Sequence, residues 1–300
     1  MTEFKALQLE DKDIFDKYLK VYKYGTYEYA FSTLYMWRHM CKPEYCILQN
    51  SLIVRKDEKN KGRYFMPPIG IEDHRIKNVI DELIKIQNSR PGIDHLLRDV
   101  EEDFLLALIN IYGDKVKYFE DENNFDYIYD TSELINLTGK KYHGKKNHYN
   151  SFIKSYSYTI KDIKEDGVGE ECISMARKWL EGKENVNEEL LYEQKAIEDI
   201  ITHVEELNLE GMAVLADDNV VGFTLGEKLR EDLAVIHIEK GNNNYSGIYA
   251  FINKVFLEQY FSDVKYVNRQ EDGGIKGLRK AKKSYGPIKL EKKFIVDIEG

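Results

Sequence analysis

The order of secondary structure constrains this chain most, because the same succession is written twice. In the second half, "EECISMARKWLEG" (170–182) and "NEELLYEQKAIEDIITHVEEL" (187–207) repeat apolar residues at three- and four-residue steps, which predicts two amphipathic helices. "LEGMAVLADDNVVGFTLGEKL" follows, and its "ADDN" breaks two apolar runs as a hairpin turn would. A third strand is expected at "LAVIHIE" (233–239), then a helix over 245–261 with Ile248, Phe251, Ile252, Val255 and Phe256 on one side. A strand (264–268), a helix (274–285) and a terminal strand (288–298) complete this half. The first half offers helices at 11–23 and 28–40, strands within "EYCILQNSLIVRKDEKNKGRYFMP", a helix at 72–87, the run "IDHLL", a helix at 101–112, and strands "KVKYFE" and "FDYIYD". No letter-for-letter repeat joins the halves, but their orders agree. The expectation is α+β, with two similar domains at residues 1–135 and 136–300.

Composition narrows the function classes. Three hundred residues with 42% hydrophobic and 12% aromatic content suffice for two filled cores. No stretch of about 18 apolar residues is present, so no membrane span is expected. The start, "MTEFKALQLEDKD", is acidic where a secretory signal needs a basic cap and an apolar run. Cys41, Cys46 and Cys172 are too few and too scattered for a disulfide framework. The simplest expectation is a cytoplasmic protein. A net charge of −9 argues against a surface coated for nucleic acid, although lysines concentrate at 139–148 and 275–293. Neither a Walker loop, a dinucleotide fingerprint nor a nucleophile elbow occurs, and His39, Cys41 and Cys46 lack metal-site spacing, so no metal is expected.

Several stretches carry a resemblance: "FSTLYMW" (31–37), "GKKYHGKKNHYNSF" (139–152), "IHIEKG" (236–241) and, most specifically, "NRQEDGGIKGLRKAKKSYGP" (268–287). With the element order, they resemble the family named for the C-terminal domain of phosphatidylglycerol lysyltransferase. That likeness implies two tandem GNAT-like acyltransferase domains, each a mixed, mainly antiparallel sheet flanked by helices. It implies transfer of an aminoacyl group from aminoacyl-tRNA to an amine or hydroxyl acceptor, with no tightly bound cofactor, a tRNA acceptor end as partner, and a small-molecule or peptide acceptor. The chain departs from the family pattern at Gln270–Glu271, where acid and amide look exchanged, and at Gly273, Gly286 and Lys146, where larger residues or an arginine are usual.

A GNAT enzyme that uses coenzyme A needs free backbone N–H groups at a helix N-terminus to hold pyrophosphate. "EKGNNNYSGIY" gives Gly241 and Gly247 six apart, which is not that family's spacing, and the tyrosine such enzymes use on the last helix falls near Lys282. Coenzyme A is therefore the weaker donor; an acyl-CoA N-acyltransferase and a non-catalytic small-molecule or peptide binding module stay as alternatives. In their place stands a polar strand-end cluster: Lys240, Arg269 and Asp272 as catalytic candidates, with Glu239, Asn268, Glu271, Arg279, Lys282, Tyr285, Lys145 and Lys146 as substrate-binding candidates. A structural ion pair capping two strand ends explains the same charges. On "IKGLRKAKKSY", Ile275, Leu278, Ala281 and Tyr285 are expected to face inward and Lys276, Arg279, Lys280 and Lys283 outward, either toward a phosphate-bearing ligand or simply solvated. Tyr142, Tyr149, Tyr156 and Tyr158 either stack bases or fill an interdomain core.

Overall fold

The structure is a computed structural model and describes residues 3–89, 92–183 and 185–299. The chain opens with β1 (Lys5–Ala6), α1 (Lys12–Leu19), α2 (Phe31–Met36), α3 (Arg38–Cys41), β2 (Glu44–Leu48), β3 (Ser51–Glu58) and β4 (Gly62–Phe65). It continues through α4 (Ile76–Ser89), β5 (Ile93–Val100), α5 (Glu102–Tyr112), β6 (Val116–Glu120), β7 (Asp126–Asp130), α6 (Thr131–Asn136), α7 (His143–Ser155) and β8 (Tyr158–Asp162). The remainder holds α8 (Val168–Glu181), α9 (Glu188–Thr202), β9 (Glu210–Ala216), β10 (Asn219–Arg230), β11 (Leu233–Gly241), α10 (Ile248–Tyr260), β12 (Tyr266–Asn268), α11 (Lys276–Lys283), β13 (Lys289–Glu291) and β14 (Phe294–Ile298).

Two compact units result. Met1–Phe125 with Glu291–Gly300 form the first and Asp126–Leu290 the second. Each contains one seven-stranded, mainly antiparallel sheet, in the orders β1-β2-β3-β4-β5-β14-β6 and β13-β7-β12-β11-β10-β9-β8. This differs from the simple halves read from sequence. β14 lies in the first sheet between β5 and β6, and β7 lies in the second beside β12. The expected terminal strand over 288–298 is thus two strands serving different sheets. Hydrophobic pattern shows that a segment is a strand, but not which sheet it joins.

Local chemistry accounts for the turns. The β9–β10 loop is Asp217–Asp218 and the β2–β3 loop Gln49–Asn50, all four at positive φ, the two-residue hairpin geometry that short polar side chains tolerate. α10 buries Ile248, Phe251, Ile252, Val255 and Phe256, the stripe its spacing predicts. Against it pack Tyr149, Phe152, Tyr156 and Tyr158, with Phe152 and Tyr158 ring centroids 4.6 and 4.7 Å from that of Phe251. Tyr149 and Tyr156 pack on the core of the second unit and Tyr142 is buried in it, whereas Tyr158 is 37% exposed at its edge.

Both sheets contain a parallel pair, β4–β5 and β11–β12. Past the pairing of Phe65 with Leu97 the chain places Arg98 and then Asp99 at φ +58; past that of Val235 with Asn268 it places Arg269 and then Gln270 at φ +59. The duplication is therefore visible in backbone conformation where letters conceal it. In the first unit this corner is closed by a buried ion pair, Lys56 to Asp99 at 2.8 Å.

Candidate functional site

In the second unit, β11 and β12 pair only from Leu233–Tyr266 to Val235–Asn268, after which β11 continues to Gly241 paired with β10 alone. The region outside the carboxyl ends of these parallel strands corresponds to the place where open α/β sheets commonly bind ligands. Its first wall is set by an irregularity in β11. Leu225 opposes Ile238 while Gly226 opposes Ile236, so His237 is an extra residue, a β-bulge.

The bulge decides which side chains meet. Ala234 and Ile236 face α10 in the core, and strict alternation would put Lys240 on that same face. One inserted residue reverses the phase. Gly241 and Glu239 take the α10 face, as shown by Ile248 and Tyr249 crowding the position of a Cβ on Gly241. Lys240 points to the other face, where its Nζ lies 2.8 Å from Glu193 of α9 and 3.9 Å from the Trp179 ring centroid of α8. Lys240 therefore does not join Arg269, contrary to the expectation from sequence.

What does assemble is a column. Arg269 Nη2 donates to both Glu239 carboxylate oxygens, at 3.0 and 3.1 Å. Its guanidinium lies 4.7 Å from the Tyr285 ring centroid, and Lys145 Nζ lies 3.9 Å from the same ring. Burial, then repulsion by Arg269, holds the Lys145 ammonium below its ordinary range, and burial pushes the Tyr285 phenol up to about 12. Arg269 Nη1 is buried without a hydrogen-bond partner. On α10, Asn253 is 3% exposed and neither its amide nitrogen nor its oxygen has a partner. Only its position inside an apolar helix marked Asn253 in the sequence, which was too weak a signal to select it.

The loop after β12 is built to hold Arg269 still. Asn268 donates to Asp126 at 2.7 Å and accepts from the Gln270 amide at 2.7 Å, an Asx turn that supports the left-handed Gln270. The buried His237 ring donates from Nε2 to the Glu227 carboxylate at 2.8 Å, and its Nδ1 lies 3.4 Å from the Gln270 side-chain amide nitrogen. Lys282 Nζ donates to the carbonyls of Arg269 at 2.6 Å, Gln270 at 3.1 Å and Glu271. Burial pushes Lys282 down to about 8, yet three acceptors match the three protons of an ammonium, so it staples the loop as a cation at neutral pH.

Asp272 belongs to the same support. Its carboxylate accepts from Arg279 Nε and Nη2 at 2.7 Å, Tyr127 hydroxyl at 2.6 Å and the Gly274 amide at 2.8 Å. Burial opposes ionisation there, but Arg279, Tyr127 and that amide outweigh it and bring the carboxyl down to about 2. With both oxygens engaged, Asp272 clips α11 to the loop and offers nothing to a substrate. Glu271 contributes its carbonyl to Lys282, and Arg279 turns inward, not outward as its helical position suggested.

α7 brings the two lysine-rich stretches together within this unit: Lys145 covers Tyr285, and Lys141 approaches Gly286. Lys146 lies elsewhere on the helix, lining an open basin of about 590 Å³ with Lys140 and His143. α7 also crosses the start of α10. A Cβ on Gly247 would lie 2.0 Å from the His148 carbonyl oxygen. The amides of Asn242, Asn244, Tyr245, Ser246 and Ile248 all donate internally, the fourth to the Tyr156 hydroxyl. α7 thus takes space beside Gly247 that a pyrophosphate would need, and these five amides are already engaged.

The sequence profile described as "Phosphatidylglycerol lysyltransferase, C-terminal" matches residues 19–297. The chain belongs to this family. A conserved protein of unknown function from Bacteroides thetaiotaomicron shares its structure over 100% of both chains, with TM-score 0.92 and 28% identity. L-PGS of Bacillus licheniformis aligns at TM-score 0.66 and 14% identity over 99% of this chain and 93% of that one; FemX aligns at 0.64 and 10% over 99% and 97%. An uncharacterized protein of Mycoplasmoides gallisepticum is 27% identical over 183 residues, 59% of this chain and 57% of that relative's length. The lysyltransferase C-terminal fold is a tandem of GNAT-like units, and the two sheets described above are those units. Among the described residues no helix is long and apolar enough to cross a membrane.

Proposed function

We propose that this member of the lysyltransferase C-terminal family moves an aminoacyl group from aminoacyl-tRNA to an amine or hydroxyl acceptor beside Arg269, at the end of β12. The observation that carries the reading is the placement of α7. It fills the cradle a thioester cofactor would need, while the column of Glu239, Arg269, Tyr285 and Lys145 stays reachable at its Lys145 end. In the reaction the acceptor's lone pair attacks the ester carbonyl. The bond from carbonyl carbon to ribose oxygen breaks, and the acceptor's proton ends on that oxygen. Arg269 Nη1 supplies a fixed donor for the oxyanion as it develops, and Glu239 holds the guanidinium in place. Lys145, Lys140 and Lys146 offer positive charge to the donor's terminal phosphates.

The reading is tested by titration with a tRNA acceptor-stem minihelix bearing a non-hydrolysable 3′-aminoacyl amide, alongside acetyl coenzyme A. Binding of the minihelix, weakened in Lys145→Gln and absent for the thioester, is expected. Binding of coenzyme A alone would restore the acyl-CoA alternative, and minihelix binding without transfer from the ester form would leave a binding module.

A further inference from the structure

The first unit holds a cavity of about 420 Å³ in which the column of the second unit has no part. It lies where β2 begins. There the hairpin of β3 and β4 extends past the last β2 pair, Glu44 with Arg55, to bring Asp57 opposite Arg63, and α3 turns into β2 through Lys42 and Pro43. The chain leaving β1 is tied to this turn by the Leu7 amide, which donates to the Pro43 carbonyl at 3.0 Å. Ala6, Leu7 and Pro43 give the cavity an apolar wall.

Its charges are unequal. Three permanent cations, Arg38, Lys42 and Arg63, line it with two acids, Glu44 and Asp57. Both acids are already held by arginines. Arg63 donates to Asp57 from Nε at 3.2 Å and from Nη2 at 2.6 Å. Arg55, whose guanidinium lies 4.4 Å from the Phe4 ring centroid, donates to Glu44 from Nε at 3.1 Å and from Nη2. Arg38 is fixed by its own helical neighbour: its guanidinium lies 3.8 Å from the Tyr35 ring centroid, and Nη1 donates to the Tyr35 carbonyl at 2.8 Å. Lys42 is exposed and pairs with no carboxylate among the described residues. It ends α3 at φ +42, where glycine is the usual residue because a Cβ is strained there, so what lysine adds is its ammonium.

We infer that this cavity binds a small phosphate monoester, its phosphate on Arg38 and Lys42 and its organic part against Ala6, Leu7 and Pro43. A guanidinium fork immobilised by stacking, with an ammonium in the same lining, suits a tetrahedral dianion. The space is that of ordinary small-molecule sites. A cationic ligand is disfavoured because both acids are engaged. The inference concerns the first unit alone and holds whichever acyl donor the second unit uses.

Isothermal titration with phenyl phosphate, benzoate and inorganic phosphate tests it. Phenyl phosphate is expected to bind more tightly than inorganic phosphate, which lacks the organic part, and than benzoate, which carries a single planar charge. Its binding should weaken at least about tenfold in Lys42→Gly and in Arg38→Gln, each of which removes one charge-assisted contact. Lys42→Gly also relieves the left-handed strain, so its thermal midpoint should match or exceed that of the native chain, which separates lost binding from lost folding. Lys145→Gln, in the second unit, should bind phenyl phosphate as the native chain does. No binding of phenyl phosphate, an unchanged affinity in Lys42→Gly, or equal binding of benzoate or inorganic phosphate would each overturn the inference. So would loss in Lys145→Gln with native binding in Lys42→Gly, which would assign the phosphate to α7.

Discussion

Arg269 separates a catalytic column from a mere clasp between strand ends, and the geometry fixes what its removal should do. Arg269→Ala deletes two charge-assisted bonds to Glu239 and leaves a carboxylate whose side chain is only 14% exposed without its partner. Breaking a buried pair from one side costs about 3–5 kcal/mol. Arg269→Lys retains the charge but loses the two-pronged grip and the 4.7 Å stacking on Tyr285, so roughly 2 kcal/mol is expected. Urea unfolding of these variants, of Glu239→Ala and of the double variant gives the coupling between the pair. The double variant should recover part of the loss, because it leaves no orphaned charge. Transfer should not recover. Under conditions where every variant is folded, loss of the oxyanion donor predicts a fall of about 10²–10³-fold in turnover for both Arg269→Ala and the double variant. Native turnover in Arg269→Lys together with the predicted stability loss would refute the catalytic role and leave only the clasp.

Other outcomes follow from neighbouring groups. Asn253→Leu should stabilise the free protein by about 1–3 kcal/mol, because an unpartnered buried amide is removed, and should slow transfer if that amide meets substrate; destabilisation would show that the amide is satisfied. Transfer should be lost as pH rises through about 8, when Lys282 gives up a proton and releases a loop carbonyl, and Lys282→Arg should carry this limb to higher pH. On the acid side, Asp272 has its folded value below its ordinary 3.8, so its contribution is present above pH 3.8 and lost as pH falls through about 2. Asp272→Asn should abolish that dependence and loosen α11, read as faster amide exchange at Lys276–Lys283.

The elements were legible because helical and strand periodicities are strong here, as the buried stripe of α10 and the Asp217–Asp218 hairpin illustrate. Arg269, Glu239 and Tyr285 were legible as strand-end and helix-end polar residues, though not as a stack. Lys240 was misplaced because the bulge at His237 leaves no mark in "IHIEKG", where alternation reads straight through. Asp272 was misassigned because an acid beside a glycine pair looks available until Arg279 is seen to turn inward. α11 was read inside out, since its apolar stripe is strong but its anchors are ionic, and Ile275 and Leu278 stay exposed. The exchange of β7 and β14 between sheets depends on long-range pairing that no local pattern encodes.

The central claim is that the acyl group is handled on the α10 face of β11, beside Arg269. A minihelix carrying a photoreactive aminoacyl amide, cross-linked and mapped by mass spectrometry, addresses that directly. Labels at Glu239, Arg269, Tyr285 or Lys145 are predicted. Labels at Trp179, Glu193 or Lys240, on the opposite face of the same sheet, would contradict the account.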